Sequence, residues 1–484
     1  MAERIAPLQR YGRPLPQNLT SILLPLALVL VVQPFLPKSL PIPQPTFPAL
    51  QANTGFALLA FLGALHAVPN VAHDFVDKGL RGRDLLKPGG KESGPWIPEP
   101  MGLPIAALYI LLMMLFIPFP FSHLLRSGGK EDFSGELVLY LSSLLSLLTA
   151  TLLGFIDDLF DIRWRHKLPI PFVAAVPTLL VYYSQGGLTS VVLPSAVVAW
   201  FGNIGLSSLL PSNIIDLGPI YYIYLLLLPT FTTNSINILA GINGVETLQA
   251  LIIALSVTIN DLLFLPIWPE WFLLALGGVG NPKEGRMLEW AAGEVVQRHL
   301  MSLYFMLPMV GICSGFLYHN WHGLFGGLDP GPLLENIDPV LHPPDLQLHP
   351  LLPSALSHRP MPTTQTAVWF NRYDEKTNLL SPSLTTYPQQ PARRTVIVLR
   401  ILETLRLVSI DRQPSPTAAS AAGPKGEIVA STNLTILNVL LVHFGPMRER
   451  SLCILMGGVQ VACSVLAFSI RYGVGAWVYG GERR

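Results

Sequence analysis

The chain returns again and again to apolar runs long enough to cross a bilayer, and this restricts its fold more than any other feature. A spanning helix needs about 20 mostly apolar residues, because a helix rises ~1.5 Å per residue across ~30 Å of hydrocarbon. Runs of this kind lie at roughly 21–36, 55–72, 101–122, 136–156, 169–184, 217–240, 247–268, 301–318 and 453–471. In hydrocarbon a segment must satisfy its own backbone N–H and C=O groups, so runs of this length read as helices. The expected fold is all-α: a multi-pass transmembrane helical bundle of about eight to nine spans. Only 13% of residues are charged, against roughly 25% in a soluble domain. A net charge of +1 gives no basic surface for nucleic acid. Cys313, Cys453 and Cys463 all lie in apolar runs, so no disulfide framework is expected. Asn18-Leu19-Thr20 and Asn433-Leu434-Thr435 are glycosylation sequons that need lumenal exposure to matter.

Charge orients the spans. The first run is short and holds Pro25 and Pro34, so it reads as a signal-anchor, a removed signal sequence or an irregular extra span. Arg4, Arg10 and Arg13 precede it and place the N-terminus in the cytosol if the run is retained. Lys78, Arg81, Arg83, Lys87 and Lys91 crowd the loop at 73–100, and Arg163, Arg165 and Lys167 the loop at 157–168. These loops are two spans apart and share a face, the cytosolic one by the positive-inside rule. The loop at 233–246 and everything from 319 to 452 fall on that same face. The region 320–395 has twelve prolines, irregularly spaced His322, His342, His349 and His358, and no run long enough to span. Frequent proline forbids a continuous helix, so this region reads as a disordered cytosolic segment or as sequence outside the fold. Beyond it, Thr395–Leu399 is strand-like, an amphipathic stretch continues to Leu407, and Asn433–Phe444 reads as a short amphipathic helix suited to the interface. The chain thus divides into an N-terminal extension with a short apolar segment (1–50), a membrane core (51–321), a Pro-rich atypical segment (322–395) and a cytosolic segment with the final span (396–484).

Three polar constellations sit at span ends. In the first, an apolar run ends in Leu153-Gly154-Phe155-Ile156-Asp157-Asp158, followed by Asp161 and then Arg163-Trp164-Arg165-His166-Lys167. Asp157 and Asp161 are four apart and share a helical face. Three carboxylates at a membrane boundary repel one another unless Mg²⁺ or a cationic network neutralises them. Lys167 can meet a phosphate as a point charge, although basic residues beside a span are also ordinary topology signals. The second constellation is Asn234-Ser235-Ile236-Asn237-Ile238-Leu239-Ala240-Gly241-Ile242-Asn243-Gly244-Val245-Glu246. Asn oxygens suit Mg²⁺, a base or a sugar, and Gly241 and Gly244 allow a tight turn and close approach of a ligand. Three Asn and two Gly in eleven residues exceed what a helix cap requires. The third is Gly82-Arg83-Asp84-Leu85 with Lys87-Pro88, then Ile97-Pro98-Glu99-Pro100-Met101-Gly102, in which Glu99 by itself reads as a solvated loop acid.

Together these motifs resemble the polyprenyl-phosphate sugar-1-phosphate transferases, and above all their eukaryotic members, which use UDP-N-acetylglucosamine (UDP-GlcNAc) and dolichyl phosphate. The similarity is carried by Leu153–Pro171, Leu217–Glu246, Ser302–Trp321 (ending Leu317-Tyr318-His319-Asn320-Trp321) and Asn433–Tyr472, and covers roughly 55–321 and 373–472. The resemblance implies that dolichyl phosphate attacks the β-phosphorus of UDP-GlcNAc, giving GlcNAc-pyrophosphoryl-dolichol and UMP. That is the first committed step of lipid-linked oligosaccharide synthesis for N-glycosylation, and it is a target of tunicamycin. It implies Mg²⁺ as cofactor and a multi-pass enzyme among endoplasmic reticulum lipids, with its site facing the cytosol and a homodimer as one assembly. Carried over by position, Asp157 and Asp158 match the catalytic aspartate pair, and Asn237 matches the asparagine ligand of the metal. Asp161 and Lys167 match residues near the donor and its phosphates, Gly241 and Asn243 match the uridine turn, and Glu99 matches a glutamate near the nucleoside.

The likeness breaks after Trp321. The family continues with a Phe-Val-Gly-Asp-Thr loop whose aspartate binds the metal, two further spans (about ten in all) and an Arg-His-Arg loop that grips the donor. Here the chain reads His322-Gly323-Leu324-Phe325-Gly326-Gly327-Leu328-Asp329-Pro330, and only His358-Arg359 echoes the basic loop, leaving Arg359 as its donor-binding candidate. Family-like sequence resumes near Tyr373. A misplaced exon boundary or reading frame would account for 322–372, and a splice form or degenerate paralogue is the competing explanation. On that reading the chain as written transfers little, and the alternative function is an inactive scaffold or regulatory membrane subunit.

Overall fold

The computed structural model describes residues 17–36, 45–83, 96–98, 101–122, 135–160, 166, 169–204, 213–239, 241–321, 372–387, 391–413 and 427–475. Each of the nine apolar runs forms a helix. These are α1 (Gln17–Val32), α2 (Pro48–Asp77), α3 (Gly102–Phe116), α4 (Gly135–Phe160) and α5 (Ile170–Ser184), then, after a short α6 (Ser195–Asn203), α7 (Pro219–Leu239) and α8 (Val245–Leu263). After the six-residue α9 (Glu270–Ala275) comes α10 (Glu294–Asn320). The last run is α13 (Glu449–Phe468), which continues as a π-helical turn, Ser469–Val474. Among the described residues, six stretches are long and apolar enough to cross a membrane: Asn18–Phe35, Pro48–Asp77, Gly135–Asp157, Val245–Leu263, Glu294–Asn320 and Glu449–Val474. The apolar helices α3 and α5 are shorter, at 15 residues each.

Helix α10 is the axis of the bundle, packed between α2 and α8, with α1 and α3 against α2 and α13 against α8; α4 lies on α5, and α5 on α7. Two glycines let α10 and α2 touch backbone to backbone. A Cβ on Gly311 would lie 2.0 Å from the Ala57 carbonyl oxygen, and one on Gly315 2.6 Å from that of Phe61. This is the small-residue close packing that membrane helices use where the hydrophobic effect cannot drive them together. Buried polar groups then fasten the spans. Tyr109 Oη donates to Phe305 O at 2.9 Å, Tyr140 Oη to Met113 O at 2.8 Å, and Asn53 Nδ2 to Tyr304 O at 2.9 Å. His319, from the His-Asn-Trp motif, puts its Nε2 2.9 Å from Leu65 O, so part of that motif binds α10 to α2.

At the far end of α8, Asn260 and Asp261 lie in its last turn, and both are buried. His299 of α10 donates from Nδ1 to Asp261 Oδ1 at 2.6 Å, and Asn260 Nδ2 donates to the same oxygen at 3.1 Å. The His299 ring stacks on Phe264 with centroids 3.6 Å apart, and Tyr472 donates its hydroxyl to Asn260 Oδ1 at 2.7 Å. This knot joins α8, α10 and the end of the last span.

Small sheets decorate the bundle: β1 (Arg81–Arg83) with β2 (Trp96–Pro98), β3 (Ser190–Val192) with β4 (Ile214–Asp216), and β5 (Arg372–Asp374) with β6 (Leu379–Ser381), all antiparallel. Thr189 Oγ1 and the Gly218 amide donate to Asp216 and hold its carboxyl below the usual carboxylate range. A three-stranded sheet orders β7 (Leu384–Thr386), β9 (Glu427–Thr432) and β8 (Ile410–Gln413) as β7-β9-β8.

Against this sheet lies helix α11 (Arg393–Thr404), which corrects the strand-like reading of Thr395–Leu399. Val396, Leu399 and Leu402 recur at helical spacing and pack on Val408, Ile410 and Ile428, so tertiary burial overrides a local β-branched run. The short helix expected over Asn433–Phe444 is α12 (Ile436–Phe444), capped by Thr435 Oγ1, which accepts from Asn438 N at 3.4 Å. Asn433 of the second sequon uses its side chain to hold Ser383 and Thr385.

Candidate active site

Asp157 lies in the last turn of α4 and is 8% exposed. The backbone dipole puts partial negative charge at this end of a helix, so a buried carboxylate here is disfavoured unless a cation answers it. An all-oxygen donor set of Asp157 with Asp158 and Asn237 suits a hard divalent cation such as Mg²⁺. Asp158 belongs to the same helical turn and Asn237 to the last turn of α7, but both side chains lie outside the described residues. So do Glu99, Asp161, Lys167 and Arg359. Among the described residues, no three His, Cys, Asp or Glu side chains form a cluster able to hold a metal.

The turn after α7 is described in full apart from Ala240. The Gly241 amide reaches back to Leu239 O at 2.6 Å, which closes the chain sharply at the end of the helix. Gly244 has φ +81° and sits immediately before α8, a left-handed conformation that costs residues with a Cβ. Ile242 and Val245 are buried beneath the turn against Leu437, Leu441, Leu452, Cys453 and Met456. Trp321, at the end of α10, packs on the same cluster. Its ring lies 5.8 Å from the Arg450 guanidinium. Glu246 is buried in the first turn of α8, where the dipole favours an acid. The sequence-predicted Gly241 and Asn243 are thus brought together with the ends of α7 and α10 and the starts of α8 and α13.

A residue that sequence reasoning passed over completes the turn. The Asn243 backbone amide donates to Glu449 Oε1 at 2.8 Å, across 206 residues of chain. The only local signal for Glu449 is an acid in the first turn of a helix, between Arg448 and Arg450, for which the helix dipole already offers a sufficient reason.

The Glycosyl transferase family 4 model matches residues 140–327. A Schizosaccharomyces pombe protein is 33% identical over 470 residues, covering 89% of this chain and 93% of its own. A Saccharomyces cerevisiae protein is 30% identical over 479 residues, covering 90% and 94%. One from Dictyostelium discoideum is 29% identical over 428 residues, covering 86% and 88%. All three bear the name UDP-N-acetylglucosamine–dolichyl-phosphate N-acetylglucosaminephosphotransferase. The chain belongs to this phosphotransferase family. Within this phosphotransferase the family 4 match takes in Asp157, Asn237 and the Gly241–Gly244 turn, and it ends before Glu449. The phosphotransferase relatives extend the likeness to nine-tenths of the chain.

Proposed function

We propose that this chain transfers GlcNAc-1-phosphate from UDP-GlcNAc to dolichyl phosphate, releasing UMP. The observation that carries this reading is Asp157, a buried carboxylate at a span end in a chain 33% identical to an enzyme named for that transfer. Phosphoryl transfer asks little covalent chemistry of a protein; it asks for positioning and for charge to be neutralised. A lipid-phosphate oxygen attacks the β-phosphorus of the donor, the bond from that phosphorus to the bridging oxygen breaks, and UMP departs with that oxygen. Asp157 and Asp158 orient the acceptor phosphate, and with Asn237 they would hold Mg²⁺. The cation supplies the neutralisation that lets two anions meet. The Gly241–Asn243 turn and Glu99 hold the nucleoside, while Asp161, Lys167 and Arg359 contact the donor phosphates and sugar.

The further parts of the reading rest on the family resemblance and on the basic loops at 73–100 and 157–168: a site on the cytosolic face of the endoplasmic reticulum membrane, serving N-glycosylation. Residues 51–321 form the transferase core, and 322–395 stand where the family has its metal loop and two spans. The relatives' shared name supports the transferase over a scaffold. The test is tunicamycin-sensitive transfer of sugar-labelled UDP-GlcNAc into an organic-extractable dolichol product, by membranes containing this chain. Chelation with EDTA abolishes the transfer and Mg²⁺ restores it, and D157N lowers it by about 10² or more, as loss of a key electrostatic group does. Well-folded protein that transfers nothing would turn the reading to the scaffold.

A further inference from the structure

We infer that Glu449 is a positioning residue for the donor nucleotide, acting through the Asn243 amide on the Gly241–Gly244 turn. The inference rests on reading that turn as the uridine-binding element. Asn243 precedes the residue that caps α8, so its N–H has no place in the helix ladder and needs an outside acceptor. A carboxylate oxygen at 2.8 Å provides a charge-assisted bond, stronger than a neutral one. Glycines bracket the turn, and such a backbone keeps one shape only when something else fixes it. Leu437 Cδ1 lies 3.4 Å from the Cβ position of Gly241, and Leu317 Cδ1 and Cys453 Sγ lie 3.7 and 3.8 Å from that of Gly244. The packing of Ile242 and Val245 beneath it confines the turn, while Glu449 sets its rotation by claiming one amide. Glu449 is itself rigidly mounted. It heads α13, which packs along α8 where Ser256 Oγ bonds Ser464 Oγ at 2.9 Å and Gly457 admits the Leu248 side chain. The start of the last span and the donor turn are therefore joined by one bond and by the packing of α13 on α8.

The experiment compares wild type, E449A and E449Q for KM of each substrate, kcat and the dissociation constant of UDP-GlcNAc by calorimetry in detergent, which needs no turnover. E449A raises KM and Kd for UDP-GlcNAc about tenfold, the low end for a hydrogen bond to a charged group. It leaves KM for dolichyl phosphate and kcat within about twofold, and E449Q, which keeps an acceptor oxygen, recovers most of the loss. Hydrogen exchange of the Asn243 amide accelerates in E449A and lies between the two in E449Q. If E449A does not fold, E449Q alone carries the test through a smaller rise in donor KM and faster Asn243 exchange. Unchanged donor KM and exchange overturn the inference, as does a uniform loss of both KM values, kcat and thermal stability, which would mark a merely structural role. Wild-type protein that is folded yet neither binds UDP-GlcNAc nor transfers overturns the underlying reading, and the inference with it. A raised donor KM with kcat retained in E449A, beside a fall in transfer of about 10² or more in D157N, separates the two roles.

Discussion

Asp157 is poorly placed for stability and well placed for chemistry. It is buried, acidic and at the negative end of a helix. Activity sites often hold groups that the fold would sooner lose. D157N should lower transfer by about 10² or more; transfer intact in folded D157N would contradict this. Gly244 makes the opposite case. Its surroundings are open enough for a methyl group, with the nearest side-chain atoms at 3.7 and 3.8 Å, so only its φ of +81° resists substitution. G244A should cost about 1–2 kcal/mol and weaken UDP-GlcNAc binding, with G244N less harmful because Asn tolerates the left-handed region better. Thermal melts and calorimetry check both. Asp157, Asn237, Gly241 and Asn243 stand out in the sequence as candidates because unusual residues cluster within a few positions at span ends. Glu449 was not, because its meaning depends on a partner 206 residues away and its local setting already has an ordinary explanation.

Among the elements, the α2–α10 contact is the most exacting. A Cβ at Gly311 meets a carbonyl oxygen of α2 at 2.0 Å, and backbone cannot swing aside as a side chain can. G311A should destabilise the protein by about 1–3 kcal/mol, the usual cost of overpacking. G458A, in α13 with nothing within 4 Å, should be neutral or gain up to ~1 kcal/mol from helix propensity. Equal melting temperatures for the two variants would contradict close packing at Gly311. Apolar runs foretold nine helices because length and hydropathy alone require them in a bilayer. Their ends were less legible. Helix α10 starts at Glu294, not near 301, since Glu294 and Arg298 interrupt the apolar run yet pair at i,i+4 with 3.0 Å between them. Helix α11 was misread because β-branched residues at 395–398 suggest a strand until a sheet is there to receive Leu399 and Leu402.

In the molecule as a whole, the knot at Asp261 answers the clasp at Glu449. Asp261 is fully buried, its Oδ1 takes bonds from His299 and Asn260, and its Oδ2 has no hydrogen-bond partner among the described residues. H299A would leave that carboxylate with Asn260 as its one remaining donor among the described residues, a loss of about 1.5–3 kcal/mol for a hydrogen bond to a charged group. Y472F removes one hydrogen bond to Asn260 and should cost about 1 kcal/mol. Melting curves in detergent should separate the two variants clearly, and equal small losses would show that the His299 contact carries little. The last span is thus fixed at its head by Glu449 and at its tail by Tyr472, both gripping α8 or the turn before it. This arrangement has a consequence for birth order. At ~5–20 residues per second the ribosome needs about 10–40 s to travel from Asn243 to Glu449. Through that interval the amide of Asn243 exists without the carboxylate that accepts from it, and a chain stopped before Glu449 never gains that clasp.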